Sequence, residues 1–249
     1  MSVHLVGGGW AERPDGAEYR AFVAEARVRA RAAGRAADAS GRPVPRIAIV
    51  VVGEGAAAHA DELVIAIAGG GVVPEVVDAA VVAVPSGGEV PAGAFADVDG
   101  VVVGGGATPE YRDALEPVFG ELRRQVAAGL PYLGFSAGAA VAAERAIIGG
   151  WRIGGVPVAP EAASEGLDEV TVAPGIGLVD VAIDAHAAQW GTLSRLVAAV
   201  EAGLVEGGLA IDERTALVVA EGGLEVAGHG SVWRALPVEQ GVVVSTMGA

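Results

Sequence analysis

Cysteine and lysine are both missing from this 249-residue chain, so all sixteen of its basic residues are arginines. Without cysteine there are no disulfide bonds, no thiolate metal sites and no cysteine nucleophile. Without lysine, Schiff-base chemistry and the lysine of a phosphate-binding loop are excluded. A nucleophile in this chain is therefore a serine, a threonine or a carboxylate.

Long apolar runs are also missing, although 52% of the residues are hydrophobic. The runs end after about six residues, whereas a membrane helix needs about 20. The 31 acidic residues leave a net charge of -15, which repels phosphate backbones and anionic lipids. We therefore expect neither nucleic acid nor a membrane as a partner. The opening segment MSVHLVGGGW lacks a basic region and a long apolar stretch, so we expect a cytoplasmic protein.

Short runs rich in valine and isoleucine alternate with longer segments rich in alanine, arginine and glutamate. This alternation predicts an α/β fold, with a doubly wound, mostly parallel sheet and helices on both faces. No linker-like change of composition divides the chain, so we expect one domain over residues 1–249. The stretch 218–244 predicts short strands with glycine turns, which would form an antiparallel C-terminal edge.

The individual elements follow from the same patterns. Strands are predicted at 3–6, 46–52, 81–84, 100–103, 132–135, 170–172, 178–183, 209–211 and 216–219. Helices are predicted at 14–37 with an end near Gly34, and at 56–68, 110–128 and 189–202. The loop 157–168, rich in proline, alanine and glutamate, is interpreted either as a lid or as an ordinary surface loop.

The segment Gly134-Phe135-Ser136-Ala137-Gly138-Ala139 lies between an apolar strand and a helix of small residues. It has the pattern of a nucleophile elbow, in which a serine occupies a strained turn that tolerates only small neighbours. The amide of Ala137 and the N-terminus of the next helix could then stabilise an oxyanion. A serine that merely caps the helix is the alternative.

A second glycine segment follows an earlier strand, in Val103-Gly104-Gly105-Gly106. Its backbone amides could face a ligand and complete an oxyanion hole. It also reads as an ordinary turn into a helix, with Thr108 as N-cap and Pro109 as the first helical residue. Both interpretations stay open, since they do not exclude each other.

A general base has to come from four histidines. His4 is predicted inside the first strand, His59 in an alanine-rich helix and His229 in a glycine turn. Only His186 follows a strand end, at the sheet edge where an elbow serine also emerges, so it is the best candidate.

The carboxylate that would orient this base has three candidates, Asp184, Asp212 and Glu213. A carboxylate at a strand end can hold the imidazole tautomer. A solvated turn with Glu213 paired to Arg214 explains the same local sequence equally well.

Four segments together resemble the serine peptidase family that contains dipeptidase E and cyanophycinase. Residues 103–106 and 134–139 are similar to its oxyanion segment and its elbow. Residues 184–196, DAHAAQWGTLSRL, look like the cyanophycinase pattern Asp-Gln-His-Phe-x-x-Arg-x-Arg-x-x-Arg-Leu. Residues 208–217, GLAIDERTAL, look like its Gly-x-Gly-Ile-Asp-Glu-x-Thr-Ala block. The segments also occur in the family's order.

This resemblance implies a fold similar to class I glutamine amidotransferases and a triad in which Ser136 is the nucleophile, His186 the base and Glu213 the orienting acid. It implies an oxyanion hole from the amides of Gly105 or Gly106 and of Ala137. The reaction implied is acyl transfer from an amide to water, with no metal and no cofactor.

The chain departs from the cyanophycinase pattern around the histidine. Ala185 and Ala187 replace glutamine and phenylalanine, while Trp190 and Thr192 replace two arginines. Arg195 remains, and bidentate arginines are the usual ligands of acidic side chains. We therefore expect a substrate other than cyanophycin. The expected substrate contacts are Thr108, Asp184, Trp190 and Arg195.

Two function classes remain open from the sequence. The first is a serine peptidase or amidase that acts on short peptides. The second is a non-catalytic member of the fold that binds a small ligand in the same pocket. The apolar composition is compatible with a homodimer but does not require one.

Overall fold

The computed structural model of the chain describes residues 2–10, 15–69 and 76–248. In the first half the strands are β1 (Ser2–Val6), β2 (Arg46–Val52), β3 (Asp78–Val84), β4 (Gly100–Val103) and β5 (Tyr132–Phe135). The helices of this half are α1 (Arg20–Ala32), α2 (Ala56–Ala68), α3 (Thr108–Leu115), a 3-10 turn (Glu116–Val118) and α4 (Phe119–Ala127).

The second half contains mostly short elements. The helices are α5 (Ala137–Ala140), α6 (Ala187–Trp190), α7 (Thr192–Glu201) and a 3-10 turn (Glu161–Ala163). The first strands are β6 (Arg145–Gly149), β7 (Arg152–Ile153), β8 (Val156–Pro157), β9 (Thr171–Pro174) and β10 (Ala182–Ala185). The later strands are β11 (Gly208–Ile211), β12 (Thr215–Ala220), β13 (Gly223–Gly228), β14 (Ser231–Val238) and β15 (Gly241–Gly248).

The larger sheet has seven strands in the order β13-β12-β1-β5-β4-β2-β3. Strands β1 to β5 are mutually parallel, and β12 and β13 add an antiparallel edge beside β1. Strand β2 shows why helices cover both faces, because its side chains alternate between two cores. Ile47 and Ile49 pack with α1 and α2, whereas Ala48 and Val50 pack with α3 and α4. The α/β class and the mostly parallel sheet expected from the sequence are confirmed.

A second sheet of four strands, in the order β10-β11-β14-β15, was not expected from the sequence. Strands β10 and β11 are parallel, while β14 and β15 continue the sheet antiparallel. Helix α7 packs on this sheet through Leu196, Ala199 and Val200. The C-terminal strands therefore form two hairpins that join different sheets, instead of one edge. Local sequence predicts a hairpin, but only tertiary packing decides which sheet accepts it.

Three predicted helices end or divide at residues that cannot continue a helix. Helix α1 ends at Ala32, close to the predicted end near Gly34, which adopts a left-handed φ of 70°. It begins at Arg20, and the predicted start at residue 14 lies outside the described residues. Pro117 has no amide hydrogen and falls in the 3-10 turn that separates α3 from α4. Gly191, at φ 70°, separates α6 from α7.

Two further boundaries differ from the predictions. The strand predicted at 178–183 begins only at Ala182, because the amides of Leu178 and Val179 bond to the carbonyl of Ala142 instead. Thr108 is the first residue of α3, and Ala107 is its N-cap. No helix among residues 2–10, 15–69 and 76–248 combines the length and hydropathy that a bilayer crossing requires.

Strand register brings several chain segments to one end of the molecule. Val6 of β1 pairs with Phe135 of β5, and Val103 of β4 pairs with Gly134. In the second sheet, Ala185 of β10 pairs with Ile211 of β11. Parallel strands in register end at the same edge, so the loops after β1, β4, β5, β10 and β11 can meet there.

Candidate active site

Ser136 occupies the sharp turn between β5 and α5. Its backbone has φ 53° and ψ -108°, which is strained for a residue other than glycine. The two glycines around it are required by close packing: a Cβ on Gly134 would lie 2.3 Å from the carbonyl oxygen of Gly138, and one on Gly138 would lie 2.1 Å from that of Val103. The Ser136 hydroxyl makes no capping bond to α5, so the capping alternative is not what the geometry shows.

A chain of two hydrogen bonds joins Ser136 to Glu213 through His186. The Ser136 Oγ lies 2.8 Å from His186 Nε2. His186 Nδ1 lies 2.7 Å from Glu213 Oε1. The tautomer with its proton on Nδ1 satisfies both contacts, since Nδ1 then donates to the carboxylate and Nε2 accepts from the hydroxyl.

The loop Gly7 to Gly9 after β1 supports the histidine and the glutamate. The amide of His186 donates to the carbonyl of Gly7 at 2.9 Å, and the amide of Arg214 donates to that of Gly8 at 2.8 Å. A Cβ on Gly8 would lie 2.2 Å from His186 Cε1, and one on Gly9 would lie 2.5 Å from Glu213 Cβ. Sequence reasoning treated these glycines as a turn only, although three consecutive glycines after a buried strand were a usable signal.

The other two carboxylates have different partners. Asp212 accepts from the amides of Ala188 and Ser231 and from the indole of Trp233. Asp184 pairs with Arg195. The side chain of Gln189, which sequence reasoning did not single out, accepts from the Glu213 amide at 2.9 Å. Glu213 is thus the carboxylate that reaches the imidazole.

The imidazole of His186 is buried against Trp190. The two rings stack with centroids 3.9 Å apart and an interplanar angle of 8°. Burial lowers the pKa of His186 below its usual value, and the bonded Glu213 carboxylate opposes this shift only in part. The neutral ring, which can accept a proton, is therefore favoured near neutral pH.

The remaining histidines lie away from this hydrogen-bonded chain. His4 is buried in β1, and His229 pairs with Asp15. His59 of α2 accepts a hydrogen bond at Nε2 from the amide of Gly105, at 3.1 Å. Burial lowers the pKa of His59, which keeps this nitrogen available as an acceptor.

The three amides expected in the oxyanion hole, those of Gly105, Gly106 and Ala137, differ in whether they already have a hydrogen-bond acceptor. That of Gly105 is engaged by His59. Those of Gly106 and Ala137 have no acceptor among the described residues. Gly105 also lies against the nucleophile candidate, because a Cβ there would come within 2.9 Å of Ser136 Cβ.

The pocket beside Ser136 is small and polar. Its cavity volume is about 10 Å³, about the space that one water molecule occupies. The four expected substrate contacts all line this pocket: Thr108, Asp184, Trp190 and Arg195. Glu165, which sequence reasoning missed, lines it as well. Glu165 comes from the loop 157–168, which therefore forms part of the pocket.

Arg195 is held in a buried ion pair. Its Nε and Nη2 donate to the Asp184 carboxylate at 2.9 and 2.7 Å. Its Nη1 donates to the carbonyls of Gly150 and Ala163 at 3.2 and 2.6 Å. The arginine thus ties the loop that carries Glu165 to helix α7, and most of its donors are already used.

The described residues contain no group of three or more histidine, cysteine, aspartate or glutamate side chains that could hold a metal ion.

A hydroxyl on a strained strand-to-helix turn, hydrogen-bonded to a histidine that a carboxylate orients, is an arrangement of the hydrolase class. The model of peptidase family S51 matches residues 91–227, more than half of the chain. The chain belongs to this family, and its function is that of a peptidase.

Among the solved structures that match, two align over nearly the whole chain. The crystal structure of a peptidase from an acI-B1 actinobacterium aligns with a TM-score of 0.57 and 15% identity, over 99% of this chain and 96% of that chain. That of a Listeria monocytogenes EGD-e protein, described as a candidate peptidase E, aligns with a TM-score of 0.45 and 13% identity, over 100% and 99%. No curated protein matches the sequence. The first likeness shows a shared fold.

Proposed function

We propose that the protein is a serine-type peptidase or amidase that hydrolyses short peptides through an acyl-enzyme on Ser136. The observation that carries the proposal is the unbroken hydrogen-bonded chain from Ser136 Oγ through His186 to Glu213. In this reading the turn at Ser136 is a nucleophile elbow. The small pocket supports short substrates, because a folded protein cannot present a peptide bond to so narrow a site.

In the first half of the reaction, Ser136 Oγ attacks the carbonyl carbon of the scissile amide. His186 Nε2 removes the hydroxyl proton as the new C–O bond forms, and Glu213 stabilises the imidazolium through Nδ1. The imidazolium then gives its proton to the leaving amine as the C–N bond breaks. The products of this half are the free amine and an ester on Ser136.

In the second half, a water molecule attacks the ester carbonyl, and His186 Nε2 takes one of its protons. The same proton returns to Ser136 Oγ when the tetrahedral intermediate collapses. The acid product leaves, and the enzyme is restored.

The developing negative charge on the carbonyl oxygen needs preorganised donors. The amides of Gly106 and Ala137 are the proposed pair, because both lack other acceptors among the described residues and Ala137 begins helix α5. Gly105 is a positioning residue in this proposal, since its amide is already bonded to His59.

The experiment that tests this proposal is intact-mass analysis after treatment with a small fluorophosphonate. We expect one adduct in the wild type, none in Ser136→Ala, and strongly slowed labelling in His186→Ala. Ser86→Ala removes an exposed serine on another loop and serves as the matched control. Absence of an adduct in the wild type, or an adduct that persists in Ser136→Ala, would refute the proposal and favour a non-catalytic ligand-binding protein.

A cytoplasmic location is part of this proposal, and fractionation of cells that produce the protein tests it.

A further inference from the structure

Glu165 is a half-buried carboxylate in the wall of the pocket that Ser136 faces. Its backbone has a left-handed φ of 57°, which is uncommon for a residue other than glycine. Gly149 makes room for it, because a Cβ at that position would lie 2.7 Å from Glu165 Cβ. The backbone is therefore locally strained at the residue whose side chain lines the pocket.

The contacts of Glu165 do not neutralise its charge. One oxygen accepts from the amide of Thr108 at 3.2 Å, and the other accepts from the Thr108 hydroxyl at 3.3 Å. No cationic side chain among the described residues forms an ion pair with it. Burial raises the pKa of Glu165 above its usual value, and the Thr108 hydrogen bonds and the Arg195 charge oppose this shift only in part.

Arg195, whose charge acts on Glu165, already has other hydrogen-bond partners. Arg195 forms a two-bond ion pair with Asp184 and also donates to two backbone carbonyls. Arg195 and Asp184 therefore balance each other's charge, and these three side chains of the pocket wall carry a net negative charge when Glu165 is ionised. An acidic substrate group would be repelled there, whereas a cationic group would gain a partner.

Capping of helix α3 does not by itself explain this arrangement. A carboxylate in solvent could accept from the same Thr108 amide without losing its hydration. Instead the carboxylate lines the same small pocket as the proposed nucleophile. A primary ammonium group has three N–H donors, which a carboxylate in this wall can accept.

We propose that Glu165 is a specificity-determining residue that binds a primary ammonium group on the substrate residue whose carbonyl Ser136 attacks. This inference rests on the proposed function. The ammonium can be the free α-amino group of an N-terminal residue or the end of a short side chain. Both have the same chemistry, and the experiment separates them.

The test uses three covalent probes that react with Ser136 without needing a particular leaving peptide. They are the diphenyl ester of 1-aminoethylphosphonate, its N-acetyl derivative, and the N-acetyl diphenyl ester of 1,2-diaminoethylphosphonate. In each reaction, Ser136 Oγ bonds to phosphorus, phenoxide leaves, and the hydroxyl proton passes to His186. Labelling rates are followed by intact mass and divided by the rate with a small fluorophosphonate, which carries no amine.

We expect the wild type to react at least tenfold faster with one of the amine probes than with the acetylated probe, which is the factor that one charge-assisted hydrogen bond provides. A preference for the first probe identifies the α-ammonium group, and a preference for the third identifies a side-chain ammonium group. In Glu165→Gln, which keeps an acceptor for Thr108, the preference should disappear. Glu161→Gln removes an exposed charge from the same loop and should keep the preference.

Equal rates with the amine and acetylated probes in the wild type would overturn the inference, as would a preference that survives in Glu165→Gln. These results differ from failure of the proposed function, in which the small fluorophosphonate itself would not label Ser136.

Discussion

Replacement of Arg195 by methionine should destabilise the protein strongly, because the arginine neutralises a buried carboxylate. Arg195 and Asp184 are 5% and 3% exposed, and they share two hydrogen bonds. Arg195→Met keeps an unbranched side chain of similar length but leaves the Asp184 charge buried without a counter-ion. It also leaves the carbonyls of Gly150 and Ala163 without their donor.

The magnitude follows from this burial. Breaking a buried ion pair by removing one partner costs about 3–5 kcal/mol of folding free energy. For a chain of this length, each kcal/mol lowers Tm by about 2–4 °C. We therefore expect Arg195→Met to lower Tm by roughly 6–20 °C.

The assay is thermal and urea denaturation of four proteins that form a double-mutant cycle. They are the wild type, Arg195→Met, Asp184→Asn and the double variant. The double variant should lose less stability than the sum of the single losses, because it buries no unpaired charge. Glu161→Gln, an exposed change on the loop that Arg195 anchors, controls for loop effects.

The reasoning would be refuted if Arg195→Met unfolded at the wild-type temperature and only raised KM. That result would mean that Arg195 binds substrate, as the sequence pattern suggested, and that the ion pair contributes nothing to the fold. Additive losses in the double variant would refute the charge argument while leaving a packing role.

Three further predictions concern the hydrogen-bonded chain and its surroundings, and a fourth concerns stability. Glu213→Gln should lower kcat by about 10²–10⁴-fold, because the imidazole loses the partner that fixes its tautomer; Glu213→Asp should retain part of the rate. The acidic limb of the kcat/KM profile should have its midpoint below 6.5, since burial lowers the pKa of His186 and only the neutral ring accepts the proton; a midpoint above 6.5 would contradict this. His59→Phe should lower kcat about tenfold with little change in KM, because the Gly105 amide loses its acceptor. Because the pKa of Glu165 is raised in the folded protein, its contribution to stability is greatest at low pH and is lost as the pH rises through that pKa. The Tm of Glu165→Gln should therefore exceed that of the wild type at about pH 8, and the difference should be smaller at about pH 5.

The sequence predicted the elements that depend on local pattern. Arg46 and the apolar run 47–52 form strand β2 with the predicted bounds, and helix α2 has the predicted bounds as well. Helix interruptions at Pro117 and Gly191 were missed, although both residues are visible as breakers, because helical composition continues on either side. The composition of a segment thus predicted its type better than its ends.

The candidate site was predictable only in part. Ser136 and His186 each follow a strand, which is a local signal, and the structure brings them within hydrogen-bond distance. The loop 157–168 was interpreted either as a lid or as an ordinary surface loop, and nothing in it singled out Glu165. Its place beside Ser136 depends on a loop that Arg195 holds from a different helix.

By itself, the sequence determined the chemical types available: no thiol, no lysine, and a serine flanked by glycines that a tight turn requires. It also determined the parallel strands, because hydrophobic runs without alternation are buried on both faces. Only the tertiary structure decided that Glu213 reaches the histidine while Asp212 binds backbone amides and an indole. It alone decided that Arg195 forms an ion pair with Asp184, because the two residues lie on different elements, α7 and β10, whose relative position is set by packing.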